Sequence, residues 1–89
     1  MTTEVNLLSR PVNFAVVQLA GRKFPGVVVQ GDTLHSLVAR VDELRRLLKS
    51  GETDEVYAGL EDIKDQLMEA MQHYERVCAD RGIALPYSG

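Results

Sequence analysis

Apolar and β-branched residues are concentrated in two short stretches near the start of the chain. Residues 13–19 are rich in such side chains, and residues 24–30 contain three successive valines, a composition typical of β-strands. Gly21 lies between the two stretches and can adopt the positive φ angle of a tight turn. The pattern therefore predicts a β-hairpin over residues 13–30.

Two helices are predicted to follow the hairpin. Apolar residues recur every three or four positions over residues 32–50 and again over residues 54–81, which is the spacing of one helix face. We expect Asp32 to cap the first helix, with Thr33 as the alternative, because the Asp32 carboxylate can accept hydrogen bonds from free backbone N–H groups. Gly51 and Gly82 follow the two periodic segments, so we expect the helices to end there. The alternating spacing of the second segment predicts that it packs against the first as an antiparallel two-helix hairpin.

The two ends of the chain add shorter elements. In the N-terminal arm, residues 1–12, Val5 and Leu7 occupy alternate positions and could form a short third strand. The C-terminal tail, residues 83–89, contains an apolar segment that we expect to fold back onto the core. We thus predict one domain over residues 1–89, of the α+β class, in which a β-hairpin precedes an antiparallel two-helix hairpin.

Both faces of the predicted β-hairpin are apolar, because successive side chains along a strand point to opposite faces. Residues 15–17 and 27–29 are apolar at every position. Two helices joined by a short loop can cover one face, and a two-stranded hairpin is barely stable alone. We therefore expect the second subunit of a homodimer, or a partner protein, to cover the other face. The alternative is that the two ends of the chain cover it within the monomer.

Charge divides the chain into two halves. The chain of 89 residues carries a net charge of −3, but residues 1–51 contain seven basic and four acidic side chains, whereas residues 52–89 contain three basic and nine acidic ones. The acidic excess argues against nucleic acid as a ligand, because such binding depends on neutralising phosphates. The opposite charges of the two halves suit electrostatic steering of a charged partner or of a second copy.

The composition and the single cysteine indicate the class of protein and its cellular location. Hydrophobic residues make up 45% and charged residues 26% of the chain, as in ordinary globular domains. We find no apolar stretch of about 18 residues, the length that a membrane span needs, and expect no membrane association. Cys78 is the one cysteine and cannot form an internal disulfide, so we expect a reducing, cytoplasmic location.

Chemically reactive residues form no recognisable catalytic or metal-binding pattern. The segment 31–34, Gly-Asp-Thr-Leu, resembles the Gly-Asp-Ser-Leu block of a lipase and esterase family. Threonine replaces the serine nucleophile of that family, and His35 lies too close along the helix to act as its base. His73 and Cys78 are five positions apart on the second predicted helix, which turns their side chains away from each other. We therefore expect no catalytic site, no metal site and no cofactor.

These observations favour a non-enzymatic protein-interaction module, either an immunity or antitoxin-like protein that masks a partner or an accessory subunit of a larger complex. Its candidate contacts come from the apolar hairpin, the acidic helix and the tyrosines. They are Arg22, Phe24, Val28, Tyr57, Glu61, Asp65 and Tyr87. The alternative is a small-molecule-binding protein with a pocket between the sheet and the helices. The residues expected at that pocket are Asp32, His35, Met68 and Met71.

Two blocks of the chain resemble a small bacterial family of uncharacterised proteins. The first block, residues 15–34, contains Ala-Val-Val-Gln-Leu and then Gly-Arg-Lys-Phe-Pro-Gly-Val-Val-Val-Gln-Gly-Asp-Thr-Leu. The second is the ending Gly-Ile-Ala-Leu-Pro-Tyr at residues 82–87. The resemblance covers nearly the whole chain and implies membership of that family, but it implies no activity, cofactor or catalytic residue.

Overall fold

The computed structural model describes residues 4–9 and 14–88 of the chain. Within these ranges it contains three β-strands and two α-helices. In chain order they are β1 (Val5–Leu7), β2 (Val16–Leu19), β3 (Gly26–Val27), α1 (Gly31–Lys49) and α2 (Thr53–Asp80). The strands form one antiparallel sheet in the order β1-β2-β3. This confirms the predicted α+β class, in which a β-hairpin precedes a helix pair, and β1 is the short third strand expected in the N-terminal arm.

The fold divides into two units, which we name by their contents. The sheet unit consists of Met1–Val29 and Ala70–Gly89, and the helical-hairpin unit consists of Gln30–Glu69. Helix α2 is continuous and contributes its first part to the helical-hairpin unit and its last part to the sheet unit. The parts of the predicted arm, β-hairpin and tail that lie outside the described residues are 1–3, 10–13 and 89.

Strand β2 is the centre of the sheet and is buried on both faces. Val16 and Val17 point to opposite faces because they are neighbours along a strand, and both are buried. β1 pairs with one edge of β2, and β3 pairs with the other. The chain itself therefore buries Val16 and Val17 on the two faces of β2, whereas Leu19 at the end of the strand stays exposed.

The second strand of the β-hairpin is shorter than predicted. β3 spans Gly26–Val27 rather than residues 24–30, although the Val28 N–H still donates a hydrogen bond to the Ala15 carbonyl at 2.8 Å. At Phe14, the residue before Ala15, the backbone has a left-handed φ of 61°, which lies outside the strand conformation. A strand can extend only as far as its hydrogen-bonding partner, so the valines that follow β3 stay exposed outside the sheet.

The prediction that Asp32 caps α1 is wrong. The helix begins at Gly31, and its N-cap residue is Gln30, which makes no side-chain capping hydrogen bond. Asp32 lies in the first turn, where its carboxylate accepts a hydrogen bond from the Thr33 N–H at 2.8 Å. The helical backbone extends through Gly31 despite the low helix propensity of glycine. Asp32 therefore supports the helix start through the helix dipole, because a negative charge in the first turn is favourable.

Glycines end both helices, as predicted. Gly82 follows α2 with a φ of 66°, and the Ile83 N–H donates to the Cys78 carbonyl at 2.8 Å, which is the long hydrogen bond of a Schellman motif. Gly51 follows α1 with a φ of 79° and a hydrogen bond of the same type beside it. Positive φ strains any residue with a side chain, so glycine favours both reversals of the chain.

The core of the sheet unit joins β2 to the last part of α2. Its buried members are Val16, Tyr74, Val77 and Cys78, and Leu8, Ile83 and Leu85 pack against them. The C-terminal tail therefore folds back onto the core, as predicted. Two long-range hydrogen bonds support this packing. The Tyr74 hydroxyl donates to the Pro25 carbonyl at 3.0 Å, and the Arg81 Nε–H donates to the Leu8 carbonyl at 3.0 Å.

Candidate functional site

Helices α1 and α2 run antiparallel in the helical-hairpin unit and approach each other closely at Gly59. A Cβ atom at Gly59 would collide with the Cδ atoms of Leu44, the buried leucine of α1. The Arg40 guanidinium, one turn before Leu44, lies 3.7 Å from the Asp62 carboxylate of α2. The absence of a side chain at Gly59 thus allows the two helices to meet there through a narrow contact.

Beside this contact, each helix of the unit carries a stripe of exposed apolar side chains. We call the two stripes together the apolar face, which consists of Leu34, Val38, Val41, Leu48, Leu60 and Leu67, each about half exposed. On α1 its members are spaced by four, three and seven positions, and on α2 by seven. These are the steps of a heptad repeat, in which such residues pack against a neighbouring helix.

Three members of the apolar face, Val38, Val41 and Leu67, line an open groove of about 530 Å³ between α1 and α2. Its apolar lining includes Leu37, Val38, Val41, Ile63 and Leu67, and its polar lining includes His35, Asp42 and Arg45. The Arg45 guanidinium lies 3.7 Å from the Asp42 carboxylate, and both side chains are largely exposed. The groove therefore has an apolar floor and a charged, internally paired rim, which suits the apolar side chains of an amphipathic helix.

The contact residues predicted from the sequence lie in both units. Those in the helical-hairpin unit are Tyr57, Glu61 and Asp65, and all three are exposed on α2. Those in the sheet unit are Arg22, Phe24, Val28 and Tyr87, of which only Phe24 is half-buried. The Tyr87 hydroxyl donates to the Glu75 carboxylate at 3.0 Å. The role of these seven side chains in binding stays a prediction.

The four residues expected at a small-molecule pocket are also separated. His35 lines the groove, whereas Asp32 and Met68 are not among its lining residues. Met71 belongs to the sheet unit. A pocket that combines all four residues stays a prediction.

Sequence reasoning missed the groove because it assigned all the apolar positions of α1 to one helix face. Leu37, Leu44 and Leu47 turn toward α2 or are partly covered, while the apolar face continues beside them. The signal that could have revealed two stripes is the step of seven that joins Leu34, Val41 and Leu48.

The titratable and sulfur-containing side chains determine what chemistry the protein could carry out. Across residues 4–9 and 14–88, no three His, Cys, Asp or Glu side chains are grouped so that they could hold a metal ion. Neither described helix is both long enough and apolar enough to cross a membrane. In the sheet unit, Cys78 is a buried free thiol, and the Nε2 atom of His73 is buried without a hydrogen-bond partner.

Tyr74 is expected to make the stability of the fold sensitive to alkaline pH. Burial raises the pKa of its hydroxyl above the ordinary value, and the neighbouring Cys78 raises this pKa further. Such a group contributes stability that is fully present below its unfolded pKa, about 10 for tyrosine, and is lost as the pH rises through its folded pKa. We therefore expect the free energy of unfolding to fall above about pH 10, and to fall less steeply in Tyr74→Phe.

Urea unfolding of the wild type and Tyr74→Phe at several pH values from about 8 to 11 measures this difference. Tyr87 contributes a slope of its own, because desolvation and its hydrogen bond to Glu75 raise its pKa as well. Since Tyr87 is present in both proteins, the comparison isolates Tyr74. Equal pH slopes in the two proteins would contradict the prediction.

Neither the curated proteins nor the solved structures include a match to this chain. The model of one protein family matches residues 1–87, a range that spans both the sheet unit and the helical-hairpin unit. The chain therefore belongs to the family of unknown function DUF6959.

Proposed function

We propose that this protein is a non-enzymatic interaction module whose helical-hairpin unit binds an amphipathic helical partner in the groove between α1 and α2. The observation that carries the proposal is the apolar face, whose six aliphatic side chains stay about half exposed. Val38, Val41 and Leu67 of this face line the groove together, and exposed apolar surface of this kind marks interaction sites, because its burial on binding is favourable. The masking of a partner, as by an immunity or antitoxin-like protein, and an accessory role in a larger complex both use such a surface.

The groove suits a polypeptide better than a small molecule. It is open along the helices, and its charged lining residues lie at the exposed rim rather than in the floor. Small-molecule sites usually enclose the ligand and present a few convergent polar groups that orient it. Helix-in-groove recognition instead needs an apolar trough that accepts side chains at positions i, i+3, i+4 and i+7.

The alternative function, small-molecule binding, rests on His35 alone among the four residues expected for it. His35 lines the groove and could donate or accept one hydrogen bond. A ligand bound there would raise the melting temperature of the purified protein in a concentration-dependent way.

We also propose a bacterial cytoplasmic setting and a second contact surface on the sheet unit. The setting is supported by the resemblance of two sequence blocks to a bacterial family and by the single, buried thiol of Cys78. The second surface is supported by the exposure of Val28 beside β3 and of Arg22 in the adjoining turn. It gives a hetero-partner a place to bind that does not involve the groove.

Site-specific photo-crosslinking in the cells that produce the protein tests the proposed function. Position 38 lies in the groove, and a benzophenone amino acid replaces valine there. Ser36 is the matched control, because it is exposed on the same helix two residues away and points to the opposite side. We expect ultraviolet light to produce a protein adduct from position 38 and little or none from position 36. Equal labelling from the two positions, or no adduct from position 38, would overturn the proposal.

A further inference from the structure

We infer that the helical occupant of the groove is the helical hairpin of a second copy of this chain, so that two copies form a four-helix bundle with two-fold symmetry. This inference rests on the proposed function and names its partner. In a two-fold interface the same patch is used by both subunits, so each copy must offer both an apolar stripe and a groove to receive one. In the helical-hairpin unit, Val38, Val41 and Leu67 belong both to the apolar face and to the lining of the groove.

The spacing of the apolar face supports a helical bundle. Leu34, Val41 and Leu48 are seven residues apart, and Val38 lies four residues after Leu34. A repeat of seven keeps a stripe in contact with a partner helix along its length, as in coiled coils and four-helix bundles. Arg45 occupies the remaining position of this repeat on α1. One charged residue in an apolar seam restricts the register and the number of helices that can pair.

The net charges of the helices favour one arrangement of the two copies. α1 carries four basic and three acidic side chains, a net charge of +1. The part of α2 in the helical-hairpin unit, residues 53–69, carries one basic and six acidic side chains, a net charge of −5. Pairing α2 with its own copy would bring these acidic segments together, whereas pairing α1 with α2 of the second copy brings opposite charges together. The favourable arrangement is therefore reciprocal, with each α1 against the other copy's α2.

The area of the face is of the order that a stable dimer needs. α1 has 19 residues, and at about 1.5 Å per residue and about 10 Å per helix diameter the hairpin presents a face of about 28 by 20 Å. That face is about 560 Å² in projection, which is of the same order as the roughly 800 Å² of accessible surface that a stable interface buries on each partner. Within residues 30–69, all of which the structure describes, Leu44 is the one leucine, isoleucine, valine or methionine that is buried, so the hairpin gains most from such cover.

Native mass spectrometry and sedimentation equilibrium of the 89-residue chain test the inference. We expect a species of twice the chain mass of 9.9 kDa. Val38→Glu is expected to raise the dissociation constant of the dimer at least about tenfold, because an unpaired carboxylate would be buried in the seam. Ser36→Glu adds the same charge on the opposite side of α1 and is expected to leave the dimer intact. Val38 is 61% exposed in the single chain, so the substitution is compatible with folding.

A second variant on the other helix keeps the test decisive. Leu60→Glu, at a position that is 54% exposed on α2, is expected to dissociate the dimer as well, with the far-ultraviolet circular dichroism of all variants unchanged. A monomeric wild type, or a dimer that withstands both substitutions, would overturn the inference. An adduct from position 38 to a different protein in cells, with a monomeric purified chain, would overturn the second-copy inference and leave the proposed function standing. The absence of any adduct from position 38 would remove the proposed function itself.

Discussion

Tyr74→Ala is expected to lower the free energy of unfolding by about 3–5 kcal/mol, the range for truncating a buried aromatic side chain. Tyr74 is 6% exposed and belongs to the core cluster that joins β2 to α2. Its truncation would remove the ring from that cluster and also leave the Pro25 carbonyl without the hydroxyl that now donates to it at 3.0 Å. Urea unfolding at one protein concentration measures the loss.

Two further variants separate the causes. Tyr74→Phe keeps the ring and removes only the hydroxyl, so it should cost about 1–2 kcal/mol. Tyr57→Ala is the matched control, because Tyr57 is 68% exposed on the same helix and such a surface change usually costs less than about 0.5 kcal/mol. If Tyr57→Ala proved as damaging as Tyr74→Ala, the assignment of Tyr74 to the core would be wrong.

Gly59→Ile is expected to destabilise the helical hairpin by about 1–3 kcal/mol through overpacking. A single Cβ at this position would already collide with the Leu44 side chain, and Arg40 Nη2 would lie 3.2 Å from it. Leu44 is buried, so it has little room to move aside. This loss should appear although isoleucine has a higher intrinsic helix propensity than glycine.

Ala58→Ile provides the control for Gly59→Ile. Ala58 precedes Gly59 on α2 and is exposed, so a larger side chain there meets solvent. We expect it to change the free energy of unfolding by less than about 0.5 kcal/mol. Thermal and urea unfolding of both variants make the comparison. Equal stability of the two variants would show that the close approach at Gly59 is not required.

Local signals were sufficient for the order of the elements and for the helix ends. Both helices end at the glycines predicted to end them, because the Schellman motif needs only a residue that tolerates positive φ and nearby backbone groups. The cap of α1 was misplaced by two residues, since Gln30 and Gly31 carry no side-chain capping signal. Strand β1 was predictable from the alternation of Val5 and Leu7.

Contacts between segments that are distant in the sequence explain the remaining differences between the predicted and the observed structure. The valines after β3 have strand-like composition, but the partner backbone turns at Phe14, and a strand cannot continue without a hydrogen-bonding partner. The sequence likewise left open whether a second subunit or the ends of the chain cover β2. The packing of Leu8, Ile83 and Leu85 on the core shows that the chain ends supply part of this cover.

At the candidate site, the local sequence pattern predicts the two helices but not which of their faces pack together. The apolar periodicity of α1 and α2 is enough to predict two helices that pack together, because both the spacing and the glycine ends lie within each segment. It does not say which apolar positions of α1 face α2, since helix 31–49 carries more of them than one helix contact can bury. The close approach of Leu44 to Gly59 settles that orientation and leaves the apolar face exposed. The groove exists because that contact is too narrow to bury both stripes.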